Sequence, residues 1–346
     1  MAAPQHILAF RFSALGDTAM TVPVMNLLLQ QYPQLEVTFV SQPMMRPLFD
    51  GIERLHFFPA DIKKEYTGIT GLYKLSQRLK KEVNADAIAD LHDVVRTKLL
   101  RFFMMGTRAA VIDKGRKEKE ELTRPANKIL RPLKTTFERY ADVLKELGLP
   151  VRLDVKGGIV HRSANTTLIP GGNDAPVLIG VAPFAKHNAK MYPPDKMKQA
   201  VKLIARRNDV KILLFGGPAE ADVLEQWERD IPHVHSLAGK MKFADELTVI
   251  SQLDIMISMD SANMHLASLY GVPVISVWGG THPYLGFYGW GQSFGDAVQL
   301  DLPCRPSSVF GNKDCPVHGK EGCMQGITPE MIVERVNNHS ATIKMN

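Results

Sequence analysis

Two carboxylates stand where an apolar stretch gives way to a helical pattern. Asp17 follows Arg11-Phe12-Ser13-Ala14-Leu15-Gly16, and Asp260 follows the apolar run Ile255 to Ile257 and precedes Ser261. A turn of small and hydroxyl-bearing residues, Gly279-Gly280-Thr281, closes the next apolar run, Val272 to Val277. At one edge of a parallel sheet, turns of this kind leave helix-start N–H groups that suit an anion such as a phosphate. A carboxylate in such a place also has a simpler use as a helix N-cap, and for Asp17 spacing alone favours that use.

These turns need strands and helices to position them. His6 to Phe10 reads as a short strand, followed by a helical pattern from Thr18 to Gln31. Further strands are predicted at Leu35 to Val40, Leu55 to Phe58, Ala85 to Leu91 and Ala109 to Ile112, with helices at Gly71 to Val83, Val94 to Met104 and Thr136 to Gly148. That alternation is the pattern of a doubly wound parallel sheet. Only Gly16 marks the first turn, so the G-x-G-x-x-G fingerprint is absent. Periodicity fades from Leu149 to Ala175, where Gly157-Gly158 and Pro170-Gly171-Gly172-Asn173-Asp174 mark turns. It resumes with a strand at Val177 to Ala182 and a helix at Pro194 to Arg206, which sets Met197, Ala200, Val201, Ile204 and Ala205 on one face. A strand at Val210 to Phe215 then opens into Gly216-Gly217-Pro218-Ala219-Glu220. The expected organisation is an N-terminal Rossmann-like domain over 1–155, a linker over 156–175 and a C-terminal Rossmann-like domain over 176–346. The last helix is left free to pack back on the first domain.

A chain of 346 residues exceeds what one core usually supports, which agrees with two domains. Its 45% hydrophobic and 23% charged residues are those of a soluble globular protein. No apolar run approaches the ~18 to 20 residues of a membrane span, and Met1 to His6 lacks the character of a secretory signal, so a cytoplasmic location is expected. The formal charge of +6 is uneven, because Lys114 to Lys134 holds eight basic residues against three acidic ones. This segment reads either as a solvated loop or as an arm for an anionic partner: phosphorylated lipid, membrane surface or nucleic acid. The odd set Cys304, Cys315 and Cys323 argues against a disulfide framework. With His318 these cysteines have the ligand types of a zinc site, but their spacings of eleven and eight residues lack the usual C-x-x-C signal.

Taken in order, the motifs resemble glycosyltransferase family 9, the ADP-heptose:lipopolysaccharide heptosyltransferases. The resemblance rests on Arg11-x-Ser13-x-x-Gly16-Asp17, on Ala89-Asp90-Leu91-His92 with Arg96, and on Lys190-Met191-Tyr192-Pro193. It continues through Leu237-Ala238-Gly239-Lys240, Asp260-Ser261, His265 and Gly280-Thr281-x-Pro283. It covers nearly the whole chain, with one departure: Ala262 stands where the family usually has glycine after Asp-Ser. The resemblance implies a GT-B fold, two Rossmann-like domains with parallel sheets facing across a cleft. It implies an inverting transferase in which Asp17 is the base and Lys190 meets the charge of the leaving diphosphate. Donor binding then falls to Lys186, Glu220, Asp260, Ser261, Gly280 and Thr281. Acceptor binding falls to Ser13, His92 and Arg96, with Arg116, Lys117 and Lys119 of the basic segment. His187 is a second choice beside Lys186, and His265 fits a core histidine better than a catalyst.

No D-x-D carboxylate pair occurs where a metal-bound diphosphate would need it, so no metal or other cofactor is expected for the transfer. The expected partners are a nucleotide-sugar donor, ADP-heptose foremost, and an anionic lipid-linked glycan acceptor such as lipopolysaccharide core. Peripheral contact with the inner face of the cytoplasmic membrane is expected, and nucleic acid is not. A nucleotide-sugar epimerase of the same fold is the alternative within enzymes. A non-catalytic nucleotide-sugar-binding protein is the alternative outside them.

Overall fold

The structure, a computed structural model, describes residues 3–172, 177–319 and 322–343. It divides into two compact units, one of residues 1–114 and 134–160 and one of residues 115–133 and 161–346.

The first unit is built on five parallel strands: β1 (His6–Phe10), β2 (Glu36–Ser41), β3 (Leu55–Pro59), β4 (Ala87–Asp90) and β5 (Arg108–Val111). Their order is β3-β2-β1-β4-β5. Ile7 to Phe10 and Ala87 to Asp90 are buried throughout, as strands covered by helices on both faces must be. The order reverses between β1 and β4, where Phe10 lies opposite Asp90, so the loops after these two strands diverge and leave a crevice. The helix expected from Thr18 to Gln31 is two, Leu15–Ala19 and Thr21–Gln31. At the break the Thr21 hydroxyl donates to the Thr18 carbonyl at 2.7 Å, a side-chain bond that competes with the helical ladder.

The second unit has six parallel strands: β6 (Val177–Ala182), β7 (Val210–Leu214), β8 (Val234–Ser236), β9 (Ile255–Met259), β10 (Val274–Val277) and β11 (Ala297–Val298). They run in the order β11-β10-β9-β6-β7-β8, so the reversal falls between β6 and β9. All six residues of β6 are buried, and a β-carbon on Gly180 would lie 2.5 Å from Leu253, which explains a glycine in mid-strand. Pro194 opens the helix Pro194–Ile204, where its missing N–H costs nothing, and Met197, Ala200, Val201 and Ile204 are buried as the spacing requires. The helix Ala262–Leu269 ends as predicted at Gly271, whose φ of 72° suits glycine. The Gly271 and Val272 N–H groups return to the Ser268 and Ala267 carbonyls, the paired bonds that close a helix of this kind.

Several expected boundaries move. Residues 156–160 of the expected linker belong to the first unit, where Asn26 and Gln30 donate to the Gly157 carbonyl at 3.2 and 3.0 Å. Residues 173–176, which include Asn173 and Asp174 of the expected turn, lie outside the described residues. In the last helix, Pro329–Ile343, Ile332 and Val336 are buried in the core of the second unit with Met197 and Val201. The basic segment also changes sides. It contains a helix, Arg116–Thr123, and Leu122 and Leu133 pack on Leu285 while the Leu133 N–H donates to the Tyr284 carbonyl at 2.9 Å.

Candidate active site

At the reversal of the first sheet, Arg11 leaves β1 and is almost fully buried. Its guanidinium donates to the Leu91 carbonyl at 2.7 Å and pairs with Asp17 Oδ2 at 2.7 Å. Asp17 is not the N-cap. It is the third residue of its helix, and its Oδ2 accepts the N–H of the actual cap, Ala14, at 3.3 Å. The backbone carbonyl of Asp17 accepts the hydroxyl of buried Tyr140 at 3.1 Å. Burial works against the charge of Arg11, but Tyr140, Asp17 and Asp90 outweigh it and the guanidinium titrates above its ordinary value.

His92 follows β4. Its two ring nitrogens lie 3.4 Å from the Phe12 N–H and 3.4 Å from the Ser13 hydroxyl. Burial, then the charges of Arg11 and Lys114, push its pKa down to about 3, so this imidazole is neutral at physiological pH. Asp90 anchors the loop, accepting the N–H groups of His92 and Asp93 and pairing with Arg101 at 2.9 Å. Ser13, Asp17 and His92 therefore gather in one crevice. Arg96 lies one turn away on the exposed face of the helix Val95–Phe103.

The second unit repeats the plan with other residues. Lys190, in the loop after β6, reaches Asp260 at the end of β9, and Nζ and Oδ2 are 2.7 Å apart. Asp260 is followed by Ser261, the N-cap of the helix Ala262–Leu269, whose hydroxyl is 3.1 Å from that of Ser258. Ala262 is the first helical residue and has no positive φ, so its β-carbon strains no backbone where the family pattern has glycine. Gly280 crosses directly over the Lys190 loop: its N–H donates to the Ala189 carbonyl at 2.7 Å, and a β-carbon there would lie 2.8 Å from that of Ala189. Thr281 is fully buried, and its hydroxyl has no partner among the described residues. An unmet buried hydroxyl costs about 1 to 3 kcal/mol, so this atom is suited to a ligand or a water. Lys186 is exposed on the same loop, and His187 titrates below its ordinary value through burial and then the charges of Lys190 and Lys186.

The remaining candidates are less close to this arrangement. Glu220 turns back on its own loop and accepts the Gly217 N–H. His265 is buried one turn into its helix, as a core histidine would be. Arg116 and Lys117 are exposed, but Lys119 is buried with its ammonium 4.1 Å from the Phe287 ring centroid, so it does not offer a free surface charge.

Two buried cations that hold these turns are not among the sequence candidates. Arg11, directly after a buried strand and six positions before Asp17, is legible in the sequence as a charge that must be paired. Arg305 is buried and donates to the carbonyls of Gly279 and Thr281, fixing the turn that carries them. The four residues whose types suggested a zinc site, Cys304, Cys315, His318 and Cys323, converge with their ligand atoms within 4.8 Å of one another, although their spacing lacks a C-x-x-C pair.

The family profile of glycosyltransferase family 9 (heptosyltransferase) matches residues 72–313, well over half of the chain. Lipooligosaccharide heptosyltransferase 2 of Campylobacter jejuni is 23% identical over 94% of this chain and 95% of its own length. A glycosyltransferase family 9 structure from Veillonella parvula aligns with a TM-score of 0.76 at 16% identity over 98% of each chain. The E. coli heptosyltransferase WaaC, solved with ADP, aligns with a TM-score of 0.69 at 17% identity over 96% of this chain and 99% of its own. At such identities the two structural likenesses concern the fold.

Proposed function

This chain belongs to glycosyltransferase family 9, the heptosyltransferases, and from that premise we propose that it moves a heptose-like sugar from ADP-heptose to a lipopolysaccharide core acceptor. The observation that carries the reading is the polarity of the two ion pairs. In the first unit the carboxylate of Asp17 is the exposed member, and in the second the cation of Lys190 is. One edge thus offers a proton acceptor and the other a counter-charge for a diphosphate.

In the reaction so assigned, the acceptor hydroxyl loses its proton to Asp17 as its oxygen bonds to the anomeric carbon. The bond from that carbon to the diphosphate breaks with its electron pair on the departing ADP, and direct displacement inverts the centre. Arg11 holds the carboxylate in place, and the neutral His92 with Ser13 orients the acceptor sugar. Lys190 meets the charge that develops on the leaving oxygen, aided by the N–H groups that open the helix Ala262–Leu269 and by the Thr281 hydroxyl. Lys186 adds charge at the donor and Glu220 the ribose contact. Because the counter-charge is a side-chain cation, the transfer needs no metal at the diphosphate.

No described helix is long and apolar enough to cross a membrane. Working at the inner face of the cytoplasmic membrane would then rely on peripheral contact. The basic segment suits this, since Ile129 and Leu130 are half exposed between Lys128 and Arg131.

The test is product analysis with ADP-heptose in the presence and absence of a truncated core acceptor. Glycosylated acceptor and ADP, formed only together and at an initial rate unchanged by EDTA, are expected. Conversion of the nucleotide sugar without acceptor would replace the reading with an epimerase.

A further inference from the structure

We infer that Cys304, Cys315, His318 and Cys323 bind a structural zinc ion in the second unit. The three cysteines are all that the chain contains, and all converge with one histidine. His318 Nδ1 is 3.5 Å from the sulfurs of Cys304 and Cys315 and 3.8 Å from that of Cys323, and the Cys304 and Cys323 sulfurs are 3.7 Å apart. A tetrahedral zinc with ordinary bond lengths sets its sulfurs ~3.8 Å from one another and each sulfur ~3.6 Å from the nitrogen. These four edges fit that tetrahedron, and the remaining two, from the Cys315 sulfur to the other sulfurs, lie within 4.8 Å.

Hydrogen bonding does not explain the geometry. An imidazole nitrogen has one in-plane lone pair or one proton, so it cannot serve three thiols at once. A Cys304–Cys323 disulfide would need its sulfurs at ~2.0 Å, and it would leave Cys315 and His318 converging on nothing. The surroundings also suit a bound cation. Cys315 and Gly319 close a small hairpin with bonds of 3.2 and 2.8 Å. Three thiolates around one zinc leave a net negative charge, and two cations stand near it. Lys128 donates to the carbonyls of Pro303 and Pro306 at 3.3 and 2.8 Å, and Arg305 adjoins the first ligand. Three thiolates and an imidazole make a closed set without an open position, the composition of a structural rather than a catalytic zinc site.

Such an ion would fix both ends of the segment that supports the Gly279-Gly280-Thr281 turn. Inside it, Arg305 holds the carbonyls of Gly279 and Thr281, and the Ser307 and Ser308 N–H groups donate to Gly280 at 2.9 and 3.1 Å. Just beyond Cys323, Met324 packs so closely under Gly279 that a β-carbon there would lie 2.5 Å from it. This consequence rests on the donor reading given above; the metal site itself does not.

Elemental analysis of the purified, desalted full chain tests the site. About one zinc per chain is expected for a closed four-ligand site, with loss of that zinc in Cys315→Ser and in His318→Ala. Absence of metal, iron in place of zinc, zinc retained by both variants, or a Cys304–Cys323 disulfide found by mass spectrometry would each overturn the inference. Should the variants fail to fold, cobalt exchanged into the wild-type protein must give the intense sulfur-to-cobalt absorption of a tetrahedral thiolate site, and a spectrum without it has the same force. If zinc is present but its removal leaves ADP affinity unchanged, the site stands and its tie to the donor turn falls.

Discussion

The two sheets place an ion pair at the same topological point and expose opposite partners. In the first unit the Asp17 side chain is 33% exposed and Arg11 8%; in the second Lys190 is 16% exposed and Asp260 3%. A doubly wound sheet provides only a place, the divergence of loops where strand order reverses, and leaves the chemistry to whichever residues those loops carry. Here the buried member of each pair holds the more exposed member by charge. On the proposed function, the sign of the exposed group separates an edge that accepts a proton from an edge that neutralises a phosphate.

The comparison breaks most visibly at Asp17. Asp17→Asn should lower turnover by on the order of a hundred- to ten-thousand-fold, the usual cost of losing a general base, while ADP affinity stays within a few-fold of wild type. Retained ADP binding also shows that the variant has folded, which matters because Arg11 loses its closest counter-ion. Near-normal turnover would remove Asp17 from the chemistry.

At the other edge, Lys190→Ala should raise the donor KM and lower kcat together, by roughly ten- to a hundred-fold in kcat/KM if a charged hydrogen bond of about 1.5 to 3 kcal/mol is lost. The same change leaves Asp260 buried without its cation, so stability falls as well. Adding Asp260→Asn separates the two effects. The double variant should recover melting temperature without recovering donor affinity, and recovery of both would make Lys190 a purely structural residue.

How much of this contrast was legible depended on how local its cause was. The strands β1, β6, β9 and β10 were readable because parallel strands buried on both faces are continuous apolar runs, and the helix Pro194–Ile204 because its buried face repeats at helical spacing. Asp17 and Lys190 stood out through motif order. The pairing of Lys190 with Asp260 did not, because it joins loops seventy positions apart that only the strand order brings together. The basic segment was assigned to the first domain by chain order, yet Leu122 and Leu133 dock on Leu285 of the second, a choice made by shape rather than by pattern. The ligand types of the cysteine cluster were legible but its convergence was not, because the turns between Cys304 and Cys323 give the sequence no periodic pattern.

The segment 115–133 sharpens the comparison, because it adds positive charge to the unit assigned to the donor while its expected partner is the acceptor. Lys119 should be left intact in testing it, since its buried contact with Phe287 is worth about 0.5 to 2 kcal/mol to the fold. Arg116→Ser with Lys117→Ser removes two charges on exposed residues. Each contributes about 1 kcal/mol near an anionic surface, so binding to anionic vesicles should weaken by roughly tenfold or more at low salt, with ADP affinity unchanged. The difference should shrink as salt rises, because screening acts over about 8 Å at physiological ionic strength. Equal vesicle binding at low salt would reduce the segment to a packing element.

The smallest effect concerns two histidines, buried His92 in the first unit and half-buried His282, next to Thr281, in the second. Burial is the main cause for both, followed by Arg11 for His92 and by Arg305 for His282, and the pKa values fall to about 3 and about 4. An imidazole in the unfolded chain titrates near 6.5, so between that pH and the folded value the unfolded state holds a proton that the folded state lacks. Stability from these groups is therefore complete above about pH 6.5 and is lost as pH falls, by at most about 1.4 kcal/mol per pH unit for each histidine. His92→Asn should flatten part of the decline in melting temperature between pH 6.5 and 5, and the double variant with His282→Asn more of it. The arrangement at pH 7.5 should change little by comparison, since neither imidazole is charged there in either state. A wild-type curve and a His92→Asn curve that run parallel through that window would show that this imidazole does not carry the acid sensitivity.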